Sequence, residues 1–282
     1  MVPAPPSLLD RETPDADRRA AAGLFAGAVS YYQRYRPRYP DALFADLVER
    51  CSLGRGQRVL DIGCGPGFLA VPLAALGSDV IAVDPQPEML AAGRAAAAEL
   101  GVTSVTWIEG TAEALLASST GIAPLRCATF GRSFHWMQRE ALLATLDSVI
   151  EPGGAVVLVG ENRPDDIAWR EAVRAYVQAW HGGRSPSEAR NTRRSSGRDH
   201  DEVLRASAFS RLQVLTYPVA RHWSIDSIVG YVYSTSSGNP QLLGDGIDAF
   251  EAGLRNRLAA LPGAPDFSEE AEVVATLATR PA

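Results

Sequence analysis

The stretch VLDIGCGPGF, residues 59–68, constrains the fold of this chain more than any other part of it. A short apolar strand that contains Asp61 leads into a turn with glycines at alternate positions, Gly63, Gly65 and Gly67. Glycine permits a tight turn and lets a ligand approach the backbone closely. In doubly wound sheets, a ligand binds at the carboxyl end of the first strand. The stretch therefore predicts a strand, a turn and a helix, with a ligand site at the turn.

Short apolar strands alternate with helices along the first part of the chain. We predict strands at 59–62, 79–83, 105–108, 125–130 and 155–159, and helices at 68–76, 87–100 and 140–150. Beyond residue 160 the alternation weakens, and we predict helices at 165–180, 227–233 and 242–261 and strands at 212–219 and 272–279. This order is typical of a parallel sheet with helices on both faces. The predicted fold is α/β, a doubly wound, seven-stranded, mostly parallel sheet of the Rossmann-like type, with the last strands antiparallel and a helical substrate cap.

Composition and the order of the predicted elements divide the chain into four segments, whose roles as lid, cofactor-binding core and substrate cap are those implied by the family resemblance described below. They are a disordered N-terminal arm at 1–20, a helical lid at 21–56, a cofactor-binding core at 57–160, and a substrate cap with the C-terminal strands at 161–282. Within the cap, the polar stretch at 184–198 is rich in arginine. It could bind phosphate or polycarboxylate, or it could be a solvated loop.

Two classes of cofactor compete for the glycine-rich turn. A dinucleotide-binding turn follows G-x-G-x-x-G, which would put its third glycine at 68, where this chain has Phe68. Asp61 would also place a carboxylate beside a pyrophosphate, which is repulsive. A ligand with a cationic amino-acid group suits Asp61 better. Asp84, at the end of the second predicted strand, can accept hydrogen bonds from the ribose of either cofactor and does not discriminate between them.

Four motifs in this order resemble the class I S-adenosylmethionine-dependent methyltransferases, namely VLDIGCGPGF (59–68), VIAVDPQPEML (80–90), EGTAEAL (109–115) and EPGGAVVLV (151–159). The resemblance implies S-adenosyl-L-methionine as cofactor and S-adenosyl-L-homocysteine as product. It also implies three groups of cofactor contacts: Asp61, Gly63, Gly65 and Gly67 at the methionine end, Asp84 at the ribose, and Pro85, Met89, Thr111, Ala112 and Glu113 at the adenine. The remaining expected cofactor contacts are Tyr31, Arg36, Cys64 and Ser133.

The fourth predicted strand leads into TFGRSFHWM, residues 129–137, which in this family faces the transferred methyl group. It does not contain the D/N-P-P-Y/F motif of enzymes that methylate adenine in nucleic acid. His135 is the candidate general base and a candidate substrate contact, because a neutral imidazole accepts protons near neutral pH. Trp136 could stack on a planar acceptor or contact the sulfonium. Both a mechanism with a base and one that depends only on orientation of the reactants stay open.

The segment YYQRYRPRYP, residues 31–40, resembles the N-terminal lid of trans-aconitate methyltransferase-like and related small-molecule enzymes. The resemblance implies that Tyr35, Arg36 and Tyr39 close over the cofactor or bind an acidic group of the substrate, a role that suits the planar guanidinium. The alternative is an amphipathic surface segment. Tyr231 and Tyr233, which follow the sixth predicted strand, are further candidates for the acceptor pocket.

The composition excludes several classes of function. All 27 basic residues are arginine, so there is no lysine for a Schiff base or for a Walker-type phosphate loop. With 33 acidic residues the net charge is -6, which does not favour binding to nucleic acid. The three cysteines and four histidines are scattered, so we predict no metal site. No run approaches the roughly 18 apolar residues of a membrane span.

Together these observations predict a cytoplasmic enzyme that transfers a methyl group from S-adenosyl-L-methionine to oxygen, nitrogen or carbon of a small molecule, in secondary metabolism. We expect a monomer or homodimer without nucleic-acid or membrane partners. One alternative is an NAD(P)-dependent oxidoreductase. Another is a protein that binds the same cofactor but catalyses a reaction other than methylation.

Overall fold

The computed structural model describes residues 25, 27–117, 122, 124–162, 167–183 and 199–281. Its strands are β1 (Arg58–Ile62), β2 (Asp79–Asp84), β3 (Val105–Glu109), β4 (Leu125–Gly131), β5 (Ile150–Asn162), β6 (Arg211–Ser224) and β7 (Asp266–Thr279). Its helices are α1 (Val29–Tyr35), α2 (Asp41–Arg50), α3 (Ala70–Ala75), α4 (Pro87–Glu99), α5 (Ala112–Ala117), α6 (Arg139–Val149), α7 (Ala168–Trp180), α8 (His200–Arg205), α9 (Ile225–Tyr233), α10 (Pro240–Leu243) and α11 (Ile247–Ala259). Short 3₁₀ turns cover Phe134–Trp136 and Gly244–Gly246.

All seven strands belong to one sheet, in the order β3-β2-β1-β4-β5-β7-β6. The pairs among β1 to β5 are parallel, whereas β7 runs antiparallel to both β5 and β6. The chain builds outward from β1 to β3 and then returns to the other side of β1 with β4. The strand order therefore reverses between β1 and β4, and the carboxyl ends of these strands form the crevice in which such sheets bind ligands. The predicted doubly wound, seven-stranded sheet is confirmed.

Both faces of the central strands are buried, which explains their continuous apolar sequence. Val59 of β1 belongs to one core cluster, together with Leu47 of α2 and Leu73 of α3. Its neighbour Leu60 belongs to the opposite cluster, together with Leu142 of α6. Successive side chains of a strand point to opposite faces of the sheet. Burial on both sides therefore fixes β1, and with it the turn at its carboxyl end.

A third apolar cluster forms the cap and includes Trp169 of α7 and Phe250 of α11. An ion pair connects this cap to the sheet, because Arg170 of α7 donates to both carboxylate oxygens of Glu269 on β7, at 2.7 and 2.8 Å. The side chain of Glu269 is fully buried. Strand β7 begins in the cap cluster with Phe267 and continues into the sheet core. The cap and the sheet therefore share a strand.

Several boundaries differ from those predicted. Strand β5 begins at Ile150 rather than after the Pro-Gly-Gly sequence, and its register against β4 shifts between Leu125 and Cys127, which accommodates the extra residues. Strands β6 and β7 pair along fourteen residues each, so both are longer than predicted. The helix expected over 242–261 is divided by the 3₁₀ turn at Gly244–Gly246.

Two predicted segments, the arm at 1–20 and the arginine-rich stretch at 184–198, lie outside the described residues. In the part of the chain that the structure describes, none of the helices has the length and apolar character needed to cross a membrane. The segment boundaries at 21–56, 57–160 and 161–282 stay predictions.

Candidate functional site

The turn after β1 is fixed by contacts with the neighbouring strands. The backbone N–H of Gly63 donates to the carbonyl of Val83 at 2.9 Å. Gly63, Gly65 and Gly67 have φ values of 65°, 53° and 78°, which glycine adopts without steric cost. A Cβ on Gly63 would lie 2.6 Å from the Cβ of Ser133, whereas one on Gly65 would meet no atom within 4 Å. The turn therefore packs at Gly63 and presents the bare backbone of Gly65.

A cavity, here called the first cavity, lies beside this turn at the carboxyl ends of β1, β2 and β4. Many of the predicted cofactor residues line it: Gly63, Gly65, Asp84, Pro85, Met89, Thr111, Ala112, Glu113 and Ser133. The structure adds lining residues that the sequence did not indicate: Phe25, Tyr32, Val83, Gln86, Gly110, Gly131, Arg132 and Met137. Some of these residues are adjacent in the sequence to a predicted residue, so their position in the cavity could have been inferred from that neighbour. Nothing in the sequence indicated Phe25.

Asp84 contributes to the turn as well as to the cavity. Its two carboxylate oxygens accept hydrogen bonds from the backbone N–H of Gly65, at 2.8 Å, and of Gln86, at 2.9 Å. Burial raises the pKa of Asp84 to about 6, and the two N–H donors oppose this shift. Since a carboxylate has about four acceptor positions, it can accept two more hydrogen bonds. Asp84 can therefore bind the hydroxyl groups of a ribose while it holds the turn.

Asp61 lies in a small recess beside the first cavity, together with Cys64 and Tyr39. Its Oδ1 accepts a hydrogen bond of 2.9 Å from Thr129 Oγ1, the backbone N–H of Ala70 also stabilises the carboxylate, and Oδ2 has no partner at full hydrogen-bond geometry. Burial raises the pKa of Asp61 to about 7, against the effect of the bond from Thr129. A buried polar atom without a partner is costly, and a cationic group would relieve that cost. Asp61 therefore fits the amino group of an amino-acid ligand.

A second cavity adjoins the first and shares some of its walls. The shared lining residues are Phe25, Tyr32, Arg132, Ser133 and Trp136. Further lining residues are Arg36, Phe134, His135, Glu161, His200 and Ser237. Trp136, predicted as a substrate contact, thus faces both cavities, and the predicted residues His135 and Arg36 face the second one. This arrangement gives two binding spaces with a common wall.

Two imidazoles line the second cavity, and burial lowers the pKa of both below the ordinary value of histidine. His135 and His200 have ring centroids 6.5 Å apart and rings inclined by 21°. Arg139 Nη1 lies 2.9 Å from His200 Nδ1, and because a guanidinium can only donate, Nδ1 accepts and Nε2 carries the proton. Burial, followed by the nearby charges of His200 and Arg139, lowers the pKa of His135 to about 4. The sequence did not indicate His200 as part of the site.

Gly67 serves packing rather than lining the first cavity. A Cβ on Gly67 would lie 2.7 Å from the ring of Trp107. Gly93 of α4 approaches the same ring so closely that a Cβ there would overlap it. Trp107 of β3 is therefore held between the turn and α4, which fixes the distance between them.

The predicted tyrosines of the lid and of α9 pack mainly against each other. Tyr31 stacks on Tyr35, with centroids 6.3 Å apart, and meets the edge of Tyr233 at 5.0 Å. Tyr231 is buried in the same cap cluster. None of these four lines either of the two described cavities. The structure therefore brings α1 and α9 together and places their tyrosines behind the cavity walls.

Comparisons with known proteins consistently find methyltransferases. A methyltransferase domain family matches residues 59–154. An uncharacterized methyltransferase of Mycobacterium tuberculosis is 33% identical over 152 residues, which cover 54% of this chain and 58% of the relative. A ubiquinone biosynthesis O-methyltransferase of Methylocella silvestris is 30% identical over 190 residues, which cover 64% of this chain and 71% of the relative. The chain thus spans little more than half the length of the mycobacterial relative.

The fold is also found in a solved structure. A SAM-dependent methyltransferase from Geobacter sulfurreducens, in complex with S-adenosyl-L-homocysteine, is similar with a TM-score of 0.53 and 18% identity. The alignment covers 92% of this chain and 98% of that one. At this identity the likeness concerns the fold.

Proposed function

This chain belongs to the class I S-adenosylmethionine-dependent methyltransferases, and we propose that it transfers a methyl group from S-adenosyl-L-methionine to a small molecule bound in the second cavity. One observation carries the proposal: the first cavity, built on the glycine turn and Asp84, shares a wall at Ser133 and Trp136 with the second. A cofactor on one side of that wall and an acceptor on the other would meet beside His135.

The residues around the first cavity fit the cofactor in charge and in shape. S-adenosyl-L-methionine supplies a methyl group on a sulfonium, which is a good leaving group. Asp61, with its unpartnered buried oxygen, would pair with the amino group. Asp84 would accept hydrogen bonds from the ribose, and Met89 would pack near the adenine. The open backbone at Gly65 allows the close approach that such a ligand needs.

The residues of the second cavity can orient the acceptor and remove its proton. His135, neutral at pH 7 because burial lowers its pKa to about 4, would accept the proton of an acceptor hydroxyl as the new bond to the methyl carbon forms. General bases contribute about 10²–10⁴-fold to a rate when their pKa lies near the operating pH, and a pKa of about 4 places His135 at the lower end of that range. His200, with its proton on Nε2, would donate a hydrogen bond, and Trp136 would stack on a planar acceptor. Holding the reactants in line accounts for much of the remaining acceleration.

The Methylocella silvestris relative is named as an O-methyltransferase of ubiquinone biosynthesis. This name supports a small acceptor molecule that is methylated on an oxygen atom. The aromatic side chains of Trp136 and Phe134 in the walls of the second cavity also suit a planar acceptor, on which they could stack. A role in secondary metabolism, a cytoplasmic location and a monomeric or homodimeric state stay predictions.

A two-part experiment tests the proposed function. Isothermal titration with S-adenosyl-L-homocysteine and with NADH separates the methyltransferase from the oxidoreductase, and we expect binding of the former alone. Incubation with S-adenosyl-L-methionine labelled at the methyl group and a library of hydroxylated small molecules should then yield labelled product and S-adenosyl-L-homocysteine. Binding of NADH in preference to S-adenosyl-L-homocysteine would contradict the assignment of the first cavity to S-adenosyl-L-methionine. Cofactor binding without methyl transfer to any acceptor would contradict the reaction.

A further inference from the structure

The second cavity is surrounded by more positive charge than the described residues near it neutralise. Arg36 and Arg132 line it, and Glu161 is the one acidic group among its described lining residues. Oε1 of Glu161 accepts from Nη2 of Arg132 at 2.8 Å and from Nη2 of Arg221 at 2.9 Å. Arg132 and Arg221 therefore share one carboxylate, and Arg36 lines the same cavity. A buried charge without a counter-charge is costly, which points to an anion as the natural occupant.

Several donor atoms of these arginines have no partner. Nη2 of Arg36 donates to the carbonyl of Ser234 at 3.1 Å, while its buried Nε has no partner. Nη2 of Arg132 donates to the carbonyl of Pro37 at 3.0 Å as well as to Glu161. The Nε and Nη1 atoms of Arg132 are buried and have none. Buried polar groups in folded proteins are almost always hydrogen-bonded, so three unused donors beside one cavity require an explanation.

Aromatic rings hold both guanidinium groups in place. Arg36 lies 5.0 Å from the ring centroid of Tyr32 and 5.1 Å from that of Tyr231, and Arg132 lies 4.8 Å from that of Tyr39. Such rings contact the face of a guanidinium and leave the N–H groups at its edge free. The tyrosines of the lid and of α9 therefore position the arginines for a planar ligand.

The backbone at Arg132 is also unusual. Its φ of 58° lies in the left-handed region, which is strained for a residue with a long side chain and recurs at functional sites. The backbone N–H of Arg132 donates to the carbonyl of Val159 at 2.9 Å, which holds this conformation. The strained conformation places Arg132 at the wall between the two cavities.

We propose that Arg36 and Arg132 form an oxyanion-binding subsite in the second cavity and that the methyl acceptor carries a carboxylate. This inference rests on the proposed function, because it names the class of its acceptor. A carboxylate would satisfy the unused donors and neutralise the excess charge, and its planar pair of oxygens matches the guanidinium edge. Arg36 lines the second cavity but not the first, whereas Arg132 lines both. An anion that reaches both arginines therefore lies on the acceptor side.

The experiment measures binding of acids and of their uncharged amides to the protein saturated with S-adenosyl-L-homocysteine. The probes are 4-hydroxybenzoate with 4-hydroxybenzamide, and succinate with succinamide, titrated calorimetrically. We expect at least one acid to bind tenfold or more tightly than its amide. In Arg36→Gln and in Arg132→Gln this preference should fall at least tenfold. Arg50→Gln is the matched control, because Arg50 forms an exposed pair with Asp46 on α2. No preference for an acid in the wild type, or an unchanged preference in both variants, overturns the proposal.

A second arm distinguishes the acceptor from the cofactor as the source of the carboxylate. S-adenosyl-L-homocysteine carries a carboxylate, and 5′-methylthioadenosine does not. We expect Arg36→Gln to keep the wild-type affinity for S-adenosyl-L-homocysteine within about twofold, because Arg36 lines the second cavity but not the first. A selective loss of that affinity, with 5′-methylthioadenosine binding unchanged, assigns the donors to the cofactor and overturns the proposal. If Arg132→Gln does not fold, Arg132→Lys retains the charge beside Glu161 and removes the unused Nε and Nη1 donors.

The failure of this inference is separate from the failure of the proposed function. If the wild type binds S-adenosyl-L-homocysteine and methylates an uncharged acceptor while no acid is preferred, the oxyanion subsite is wrong and the methyltransferase stands. If the wild type does not bind S-adenosyl-L-homocysteine at all, the proposed function is wrong and the inference falls with it.

Discussion

Asp84 accepts hydrogen bonds from the glycine turn and is the residue to which we assign the ribose. Its substitution tests this placement of the ribose. We expect Asp84→Ala to weaken binding of S-adenosyl-L-homocysteine by roughly ten- to a hundredfold, because a hydrogen bond to a charged group contributes about 1.5–3 kcal/mol. Isothermal titration measures the change. Asp79→Ala, at the exposed start of the same strand, is the control and should bind like the wild type. An unaltered dissociation constant in Asp84→Ala would place the ribose elsewhere.

His135 is the residue whose substitution separates catalysis from binding. We expect His135→Ala to lower kcat by about a hundredfold, the lower end of what general bases contribute, because burial makes the imidazole of His135 a weak base. The dissociation constant of S-adenosyl-L-homocysteine should change little. His222→Ala provides the control, because His222 lies on β6 with its exposed partner Ser268 and does not line either cavity. A rise in KM at constant kcat would make His135 a lining residue of the acceptor pocket only.

The same residue predicts the pH dependence of the reaction. Burial and the positive neighbours lower the pKa of His135 to about 4, so the imidazole is unprotonated, and able to act as a base, at every pH above that value. The rate is measured at saturating cofactor, so that protonation of Asp61 and Asp84, with pKa values of about 7 and 6, affects cofactor binding rather than kcat. Because protonation removes the base, kcat should then stay level from about pH 8 to pH 5 and fall as the pH drops through 4. A midpoint near 6.5, the ordinary value for histidine, would show that a different imidazole or a more exposed His135 controls the rate.

At the level of elements, the turn between β1 and α3 needs glycine at position 63 because of its positive φ and because of its close approach to Ser133. Comparison with a second glycine that has only the positive φ separates these two effects. Gly63 has φ 65° and would place a Cβ 2.6 Å from that of Ser133, whereas Gly101 has φ 67° and open space. Both alanine variants must adopt a positive φ that is unfavourable for alanine, but only in Gly63→Ala does the new Cβ also overlap the side chain of Ser133. We expect Gly63→Ala to lower the free energy of unfolding by about 1–3 kcal/mol more than Gly101→Ala, as measured by chemical denaturation. Equal losses would mean that Ser133 moves aside freely.

The elements that the sequence predicted have local signatures, and those it missed do not. Strand β1, its glycine turn and Asp84 on β2 follow from apolar runs and glycine spacing, so most of the first cavity was predictable. His200 reaches His135 across a sequence separation of many residues, through packing of α8 beside the turn after β4, and no local pattern records that contact. The sequence did not single out Arg132, because its left-handed backbone and its unused donors exist only in the folded chain. The lengths of β6 and β7 depend on their pairing with each other.

For the molecule as a whole, the structure predicts that the cap and the sheet unfold together. Strand β7 begins in the cap cluster and ends in the sheet core. The ion pair between Arg170 and Glu269 joins the two, with side chains that are 10% and 0% exposed. A coupled structure of this kind should give one unfolding transition, in which the tryptophan fluorescence, to which Trp169 and Trp223 of the cap contribute, and the circular dichroism of the whole chain follow the same curve.

Glu269→Gln tests this coupling directly. The substitution leaves the buried Arg170 without its counter-charge, which costs about 3–5 kcal/mol in comparable buried pairs. The pair of Arg280 with Asp147 is the control: it has a similar N–O distance of 2.7 Å but side chains 27% and 44% exposed, so Asp147→Asn should cost no more than about 1 kcal/mol. Saturation with S-adenosyl-L-homocysteine at about a hundred times its dissociation constant should restore about 2.7 kcal/mol, and it should shift the fluorescence and circular dichroism curves together. Separate transitions for the two signals, or a ligand shift confined to one of them, would show that the cap and the sheet are independent folding units.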